Sequence, residues 1–239
     1  MNRYTVTGFS SVPPFAHGLV RDLRVRWALR EAGLPYDVEL IDFTIRKSDT
    51  YRQKQPFGMV PAFAADGFEM FESGAIVQVI AEKSGTLMPV EEAERASTIV
   101  WMYAALNTVE PPLVQLVSID LLHSAEEWAK LRRPDVVETV RERLAVLARQ
   151  LDGRDFLVGR FTAADILMTT VLRLTRHTDL VASEPVVEAY LKRCEARPAF
   201  EEALAEQLEE YAKNVPAAAS RKLVQVVGVE PTRAMPRGF

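Results

Sequence analysis

The hydrophobic positions of this chain change their period once along its length. "RYTVTGF", residues 3 to 9, alternates and is rich in β-formers, which predicts a short strand. "SSVPPFAHG", 10 to 18, carries two prolines, two serines and a glycine and reads as a loop. From 19 to 33, Leu19, Leu23, Val25, Trp27, Ala28 and Leu29 fall near helical spacing, and Gly33 with Pro35 just beyond marks the stop. "YDVELIDF", 36 to 43, is a second strand, and the polar stretch 44 to 55 is a loop with room for one helical turn. "VPAFAAD" and "FEMFE" form a hairpin around Asp66 and Gly67, and 73 to 85 is a helix closed by Gly85. A helix joins the first two strands and a tight turn joins the last two, so the sheet must be of mixed direction.

From about 91 to 212 no segment reads as a strand. Residues 91 to 123 form one long apolar-faced helix, with a bend expected near Pro111 and Pro112. A strong amphipathic helix follows at 135 to 153, an apolar helix opened by a capping signal at 162 to 177, and two more helices are divided near Pro198. The expected organisation is an α/β domain over 1–84, an all-helical domain over 91–212 and an extended tail over 213–239. There are no internal repeats.

Composition narrows the class. With 239 residues and 48% apolar side chains, a substantial core is available. The net charge of −4 is spread along the chain, unlike the clustered basic footprint of a nucleic-acid binder. There is no run of roughly 18 apolar residues to span a membrane, and "MNRYTVTGFS" lacks a signal-peptide layout. One cysteine, Cys194, excludes a disulfide framework, a zinc cluster and an intramolecular redox pair. These features predict a soluble cytoplasmic protein with no metal.

Pro61 is the residue that the pattern alone leaves unexplained. It sits in the hydrophobic run "QPFGMVPAF" that otherwise reads as a strand, yet proline has no N–H for a sheet ladder. It therefore either starts an edge strand or has another task. The segments "LRVRWALREAGLPYDVELIDF", "QPFGMVPAF", "FESGAI" and "LVGRFTAADILM", in that order, resemble the glutathione transferase superfamily over about residues 1 to 212. The resemblance implies an α/β thioredoxin-like domain with a mixed sheet, followed by an all-α helical bundle. It implies a cis peptide before Pro61 that turns the backbone of Val60 toward bound glutathione, where the peptide ligand adds like a short strand. It also implies that Glu72 pairs with the γ-glutamyl ammonium. Ser73, with the helix N-terminus, would take the carboxylate.

For the glycyl carboxylate, Lys47 matches a lysine of some branches, with Arg46, Arg52 and Lys54 as alternatives. Thr162 and Asp165 read as a capping box with a structural role. Thiol activation is expected near the start of the first helix, where a hydroxyl or cation lowers a free thiol pKa of ~8.5. Ser11 has the right chemistry, and Arg21 lies where an ungapped comparison lands; His17 could move a proton. Phe15, Tyr103, Leu106 and Asn107 are candidates for the electrophile pocket, the last three at spacing i, i+3, i+4. The resemblance thus implies a homodimeric transferase that binds glutathione and a small hydrophobic electrophile. A non-catalytic interaction protein on the same scaffold is the competing expectation.

Overall fold

A computed structural model describes residues 4–65 and 67–214 of the chain. Residues 215–239 of the expected tail, and Asp66 of the hairpin turn, lie outside the described residues.

Alternating and apolar segments give four strands: β1 (Tyr4–Phe9), β2 (Tyr36–Ile41), β3 (Ala62–Ala65) and β4 (Phe68–Phe71). Their order in the sheet is β2-β1-β3-β4. β1 runs parallel to β2, with Val6 opposite Val38, and antiparallel to β3, which is antiparallel to β4. The parallel pair is bridged by helix α1 (Asp22–Glu31), since parallel strands need a crossover element between them. α1 starts three residues later than the periodicity suggests, because Leu19 and Val20 are spent in a turn that closes onto Leu23 N–H. The polar stretch before Pro56 holds more helix than expected. Ser48 accepts a hydrogen bond from Tyr51 N–H and so caps a full helix α2 (Asp49–Lys54). Helix α3 (Ser73–Ser84) ends at Gly85, whose φ of 66° closes it in the left-handed conformation.

The rest is helical: α4 (Glu92–Tyr103), α5 (Glu110–Val117), α6 (Glu127–Leu151), α7 (Ala163–Leu172), α8 (Pro185–Glu195) and α9 (Pro198–Lys213). The expected bend near Pro111 and Pro112 takes a specific form. A π-helical run, Ala104–Val109, links α4 to α5, and Glu110 N–H bonds to Ala105 O, five residues back. Two prolines in succession remove two ladder donors, and the widened turn ahead of them places both in the first turn of α5. α6 begins eight residues before the predicted start and continues through Pro134. Pro134 is the eighth residue of that helix, so its missing N–H leaves one position of the ladder without a donor, and the helix continues on both sides of it.

One buried cluster runs from the sheet and α1 (Val6, Trp27, Phe63) into the helical region (Met102, Leu113, Leu167). A smaller cluster, including Phe9, Tyr51, Val60 and Tyr211, lies under the proline-rich loop. That loop is tied to the helical region by Arg176, which donates to Phe15 O at 2.9 Å, and by Arg173, which donates to Gly18 O at 3.4 Å. α9 is clasped to α1 by charge. Arg26, fully buried, meets Asp22 at 2.8 Å and Glu210 at 2.7 Å.

Candidate functional site

Three elements meet where β3 begins, where α3 begins and where α5 begins. The Val60–Pro61 peptide bond is cis. Glu72 precedes α3 with φ of 70°, and is the only non-glycine residue with positive φ among the described residues. A left-handed backbone at a residue with a Cβ costs about 1 kcal/mol or more, so the surrounding structure holds it there. Ser73 is buried as the first residue of α3.

A cavity of about 300 Å³ opens between them, lined by Val60, Pro61, Glu72, Ser73, Asn107 and Glu110, with Arg21 and Arg24 on its α1 side. Its floor is a charge network that the sequence did not announce. Glu110 Oε1 accepts from Arg21 Nε at 3.1 Å and Nη2 at 2.9 Å, and from Arg24 Nη2 at 3.0 Å. Arg24 also donates to Ser73 Oγ at 3.1 Å and to Thr170 Oγ1 at 3.0 Å. One guanidinium thus joins α1, α3, α5 and α7. Burial opposes ionisation of Glu110, but Arg24 and then Arg21 outweigh it and hold the carboxyl below its ordinary range. Arg24 is pushed down by burial and partly rescued by Glu110.

A second cavity of about 60 Å³ adjoins the first, sharing Arg21, Arg24, Met59, Val60 and Glu110. Its remaining walls are mostly apolar and include Phe15 from the proline-rich loop, with Val114, Val117 and Leu174 from the helical region. A third, of about 230 Å³, shares Glu72, Leu106 and Asn107 with the first and is lined by Tyr103.

The sequence candidates divide accordingly. Val60, Pro61, Glu72, Ser73, Arg21 and Asn107 share one cavity. Phe15 lines the apolar neighbour, and Tyr103 the third cavity, so these two aromatics do not meet in one pocket. The π-helical run rotates Tyr103 off the face that carries Glu110, which ordinary helical spacing would keep together. Ser11, half-buried in the loop, is not among the residues lining these three cavities. Lys47 is exposed on the short turn Ile45–Lys47 ahead of α2, and its neighbour Arg46 lines the apolar cavity. Lys54 turns instead to Glu69 at 3.6 Å and Glu39 at 3.8 Å. His17 bonds Val12 O at 3.2 Å and packs on Tyr211. Thr162 and Asp165 form the reciprocal capping box of α7, remote from the cleft.

Sequence reasoning missed Arg24 and Glu110. Their signal was an acid in the apolar run "ALNTVEPPLV" at i+7 from Tyr103, and a second arginine three residues after Arg21. Among the described residues no group of three or more His, Cys, Asp or Glu side chains is placed to hold a metal.

Comparison with known proteins agrees with this architecture. Residues 23–87 match the glutathione S-transferase N-terminal domain and residues 120–198 the glutathione S-transferase C-terminal domain. Among similar proteins, glutathione S-transferase 3 of Zea mays is 32% identical over 201 residues, covering 77% of this chain and 88% of its own. The disulfide-bond oxidoreductase YfcG of Escherichia coli is 32% identical over 193 residues, covering 74% and 86%. A glutathione transferase from Burkholderia graminis, solved with two glutathione molecules bound per subunit, superposes with a TM-score of 0.75 at 28% identity, covering 84% of this chain and 87% of that one. The chain belongs to the glutathione S-transferase family.

Proposed function

We propose that this member of the glutathione S-transferase family binds reduced glutathione in the 300 Å³ cavity and transfers it to a small electrophile held in the adjoining apolar cavity. The observation that carries the reading is the convergence of Val60, Pro61, Glu72 and Ser73 on one cavity, with Arg21, Arg24 and Glu110 beside them. Each end of the tripeptide finds its complement there. Glu72 pairs with the γ-glutamyl ammonium. Ser73 Oγ and the first N–H groups of α3 take the γ-glutamyl carboxylate, with Arg24 holding the hydroxyl in place. The Val60 backbone pairs with the cysteinyl residue. Lys47, beside Arg46, takes the glycyl carboxylate from the rim.

Thiol activation falls to Arg21 rather than Ser11. Arg21 lines both cavities, and a guanidinium there favours thiolate over thiol. The thiolate attacks the electrophilic carbon, the C–S bond forms, and the leaving group departs with its electron pair while the thiol proton passes to solvent. Arg21→Met should lower kcat/KM by about ten- to a hundredfold, and should raise the pH midpoint of the thiolate absorbance of bound glutathione. Ser11→Ala should change neither by more than about twofold. Equal losses in both variants would reverse the assignment.

A second reading follows from the disulfide-bond oxidoreductase among the relatives. Here the electrophile is a disulfide sulfur and the nucleophile is again the glutathione thiolate. Cys194, the one cysteine of the chain, is buried, and burial pushes its thiol up to about 12, so protein sulfur takes no part. Parallel assays with 1-chloro-2,4-dinitrobenzene and bis(2-hydroxyethyl) disulfide separate the two chemistries. We further propose a cytoplasmic homodimer. Phe57, 70% exposed against Phe71, together with exposed Val100 and Tyr103, gives apolar surface for such contact. Sedimentation at twice the monomer mass is the expected result.

A further inference from the structure

The apolar cavity beside the glutathione cleft is small for an electrophile of any bulk. At about 60 Å³ it is well under the roughly 150 Å³ of a dry cavity that takes up benzene. Phe15, Ala16 and Leu19 give it a wall from the proline-rich loop, and Val114, Val117 and Leu174 give it a helical wall. The loop is unevenly fixed. At His17 and Gly18 it is packed onto α9: the His17 ring stands 5.2 Å from that of Tyr211, and a Cβ on Gly18, whose φ is 70°, would lie 2.7 Å from Leu204 Cδ1. Arg173 also donates to Gly18 O at 3.4 Å. Phe15 is held differently, since its carbonyl accepts from Arg176 Nη2 at 2.9 Å. Arg176 is exposed, two residues beyond Leu174, and is not among the residues lining the three cavities.

We propose that Arg176 is a positioning residue that limits the size of the electrophile, by latching Phe15 against the helical wall. A compact group enters the closed cavity. A longer apolar group needs Phe15 displaced, with His17 and Gly18, fixed on α9, as the hinge. A bulky ligand therefore binds with its intrinsic affinity reduced by the fraction of protein that is open, and a compact one escapes that reduction. A hydrogen bond exposed to water gives up little when water replaces it, so the latch sorts ligands by size without shutting bulky ones out. The inference rests on the glutathione reading of the larger cavity, which places the sulfur substituent of the tripeptide in the apolar one.

Two S-alkylglutathiones test this without turnover, because neither has a thiol to react. S-Methylglutathione and S-hexylglutathione are titrated calorimetrically into the full chain and into its Arg176→Met variant. The methyl group needs no more room than the closed cavity has, whereas the hexyl chain needs Phe15 displaced. Loss of the latch should tighten S-hexylglutathione by about three- to tenfold and leave S-methylglutathione within about twofold. A residue with only a structural role would weaken both, and retained S-methylglutathione binding reports the integrity of the variant. S-Hexylglutathione affinity that is unchanged or weaker in Arg176→Met overturns the proposal while leaving the glutathione site standing. So does equal tightening of both ligands, because Arg176 then acts on the tripeptide and not on its substituent. Failure of S-methylglutathione to bind the wild-type chain overturns the glutathione reading and this inference with it.

Discussion

Glu72 carries two burdens in one residue. Its backbone holds a positive φ that a side chain disfavours, and its carboxylate lines the cavity at the start of α3. Glycine accepts that φ freely but loses more conformational freedom on folding, and the two effects, each about 1 kcal/mol, nearly cancel. Glu72→Gly should therefore leave Tm within about 3 °C of wild type while weakening glutathione binding by about tenfold or more. A large fall in Tm with binding retained would make Glu72 a structural residue. Asp165 is the contrasting case. It accepts from Leu157 N–H at 3.1 Å, Thr162 N–H at 2.8 Å, Thr162 Oγ1 at 3.1 Å and Tyr190 Oη at 3.0 Å, all in the core. Asp165→Ala strands those donors and should destabilise the chain by about 3 kcal/mol or more in urea, with glutathione affinity of the folded fraction unchanged.

The junction of α4 and α5 sets the cleft floor at the scale of the element. The π-helical run brings Glu110 to Arg21 and Arg24 and turns Tyr103 aside. Glu110 titrates lower in the folded chain than its ordinary 4.5. The unfolded chain therefore takes up this proton first on acidification. The stability Glu110 contributes is complete above pH 4.5, and is lost as pH falls through its folded value. Asp120 adds to the same slope, because Arg133 and His177 outweigh its partial burial and hold it below 3.8. Asp22, pushed up by burial, works in the opposite direction. Glu110→Gln should flatten the urea midpoint against pH between about 5 and 3, and an unchanged slope would place the acid sensitivity elsewhere. The elements themselves were legible because strand and helix periods are local, and Gly33, Gly85 and the Thr162–Asp165 box mark ends within a few residues. The π-helical run was not, since only the paired prolines hint at it and many bends would satisfy them. The extent of helix α2 was underestimated, as one turn in a loop, because its cap, Ser48, sits in a polar stretch with no apolar stripe to mark the helix.

At the scale of the whole molecule, one core passes from the sheet through α1 and α3 into α4, α5 and α7. The cleft lies where these parts meet, so its two halves come from segments far apart in the chain. That explains which parts of the site could be read beforehand. Val60, Pro61, Glu72 and Ser73 lie in two short motifs, whereas the Arg24–Glu110 pair spans 86 residues and leaves no local spacing to recognise. The Arg26 cluster shows the same limit: its link to Asp22 is an i, i+4 pair, but its link to Glu210 depends on how α9 docks. The central claim is that this cleft binds glutathione, and isothermal titration of the full chain with reduced glutathione, beside Glu72→Gly, tests it most directly. The expected result is a dissociation constant of about 1 mM or tighter for wild type, weakened by about tenfold or more in the variant. Absence of binding to wild type at about 10 mM ligand would contradict the account at its base.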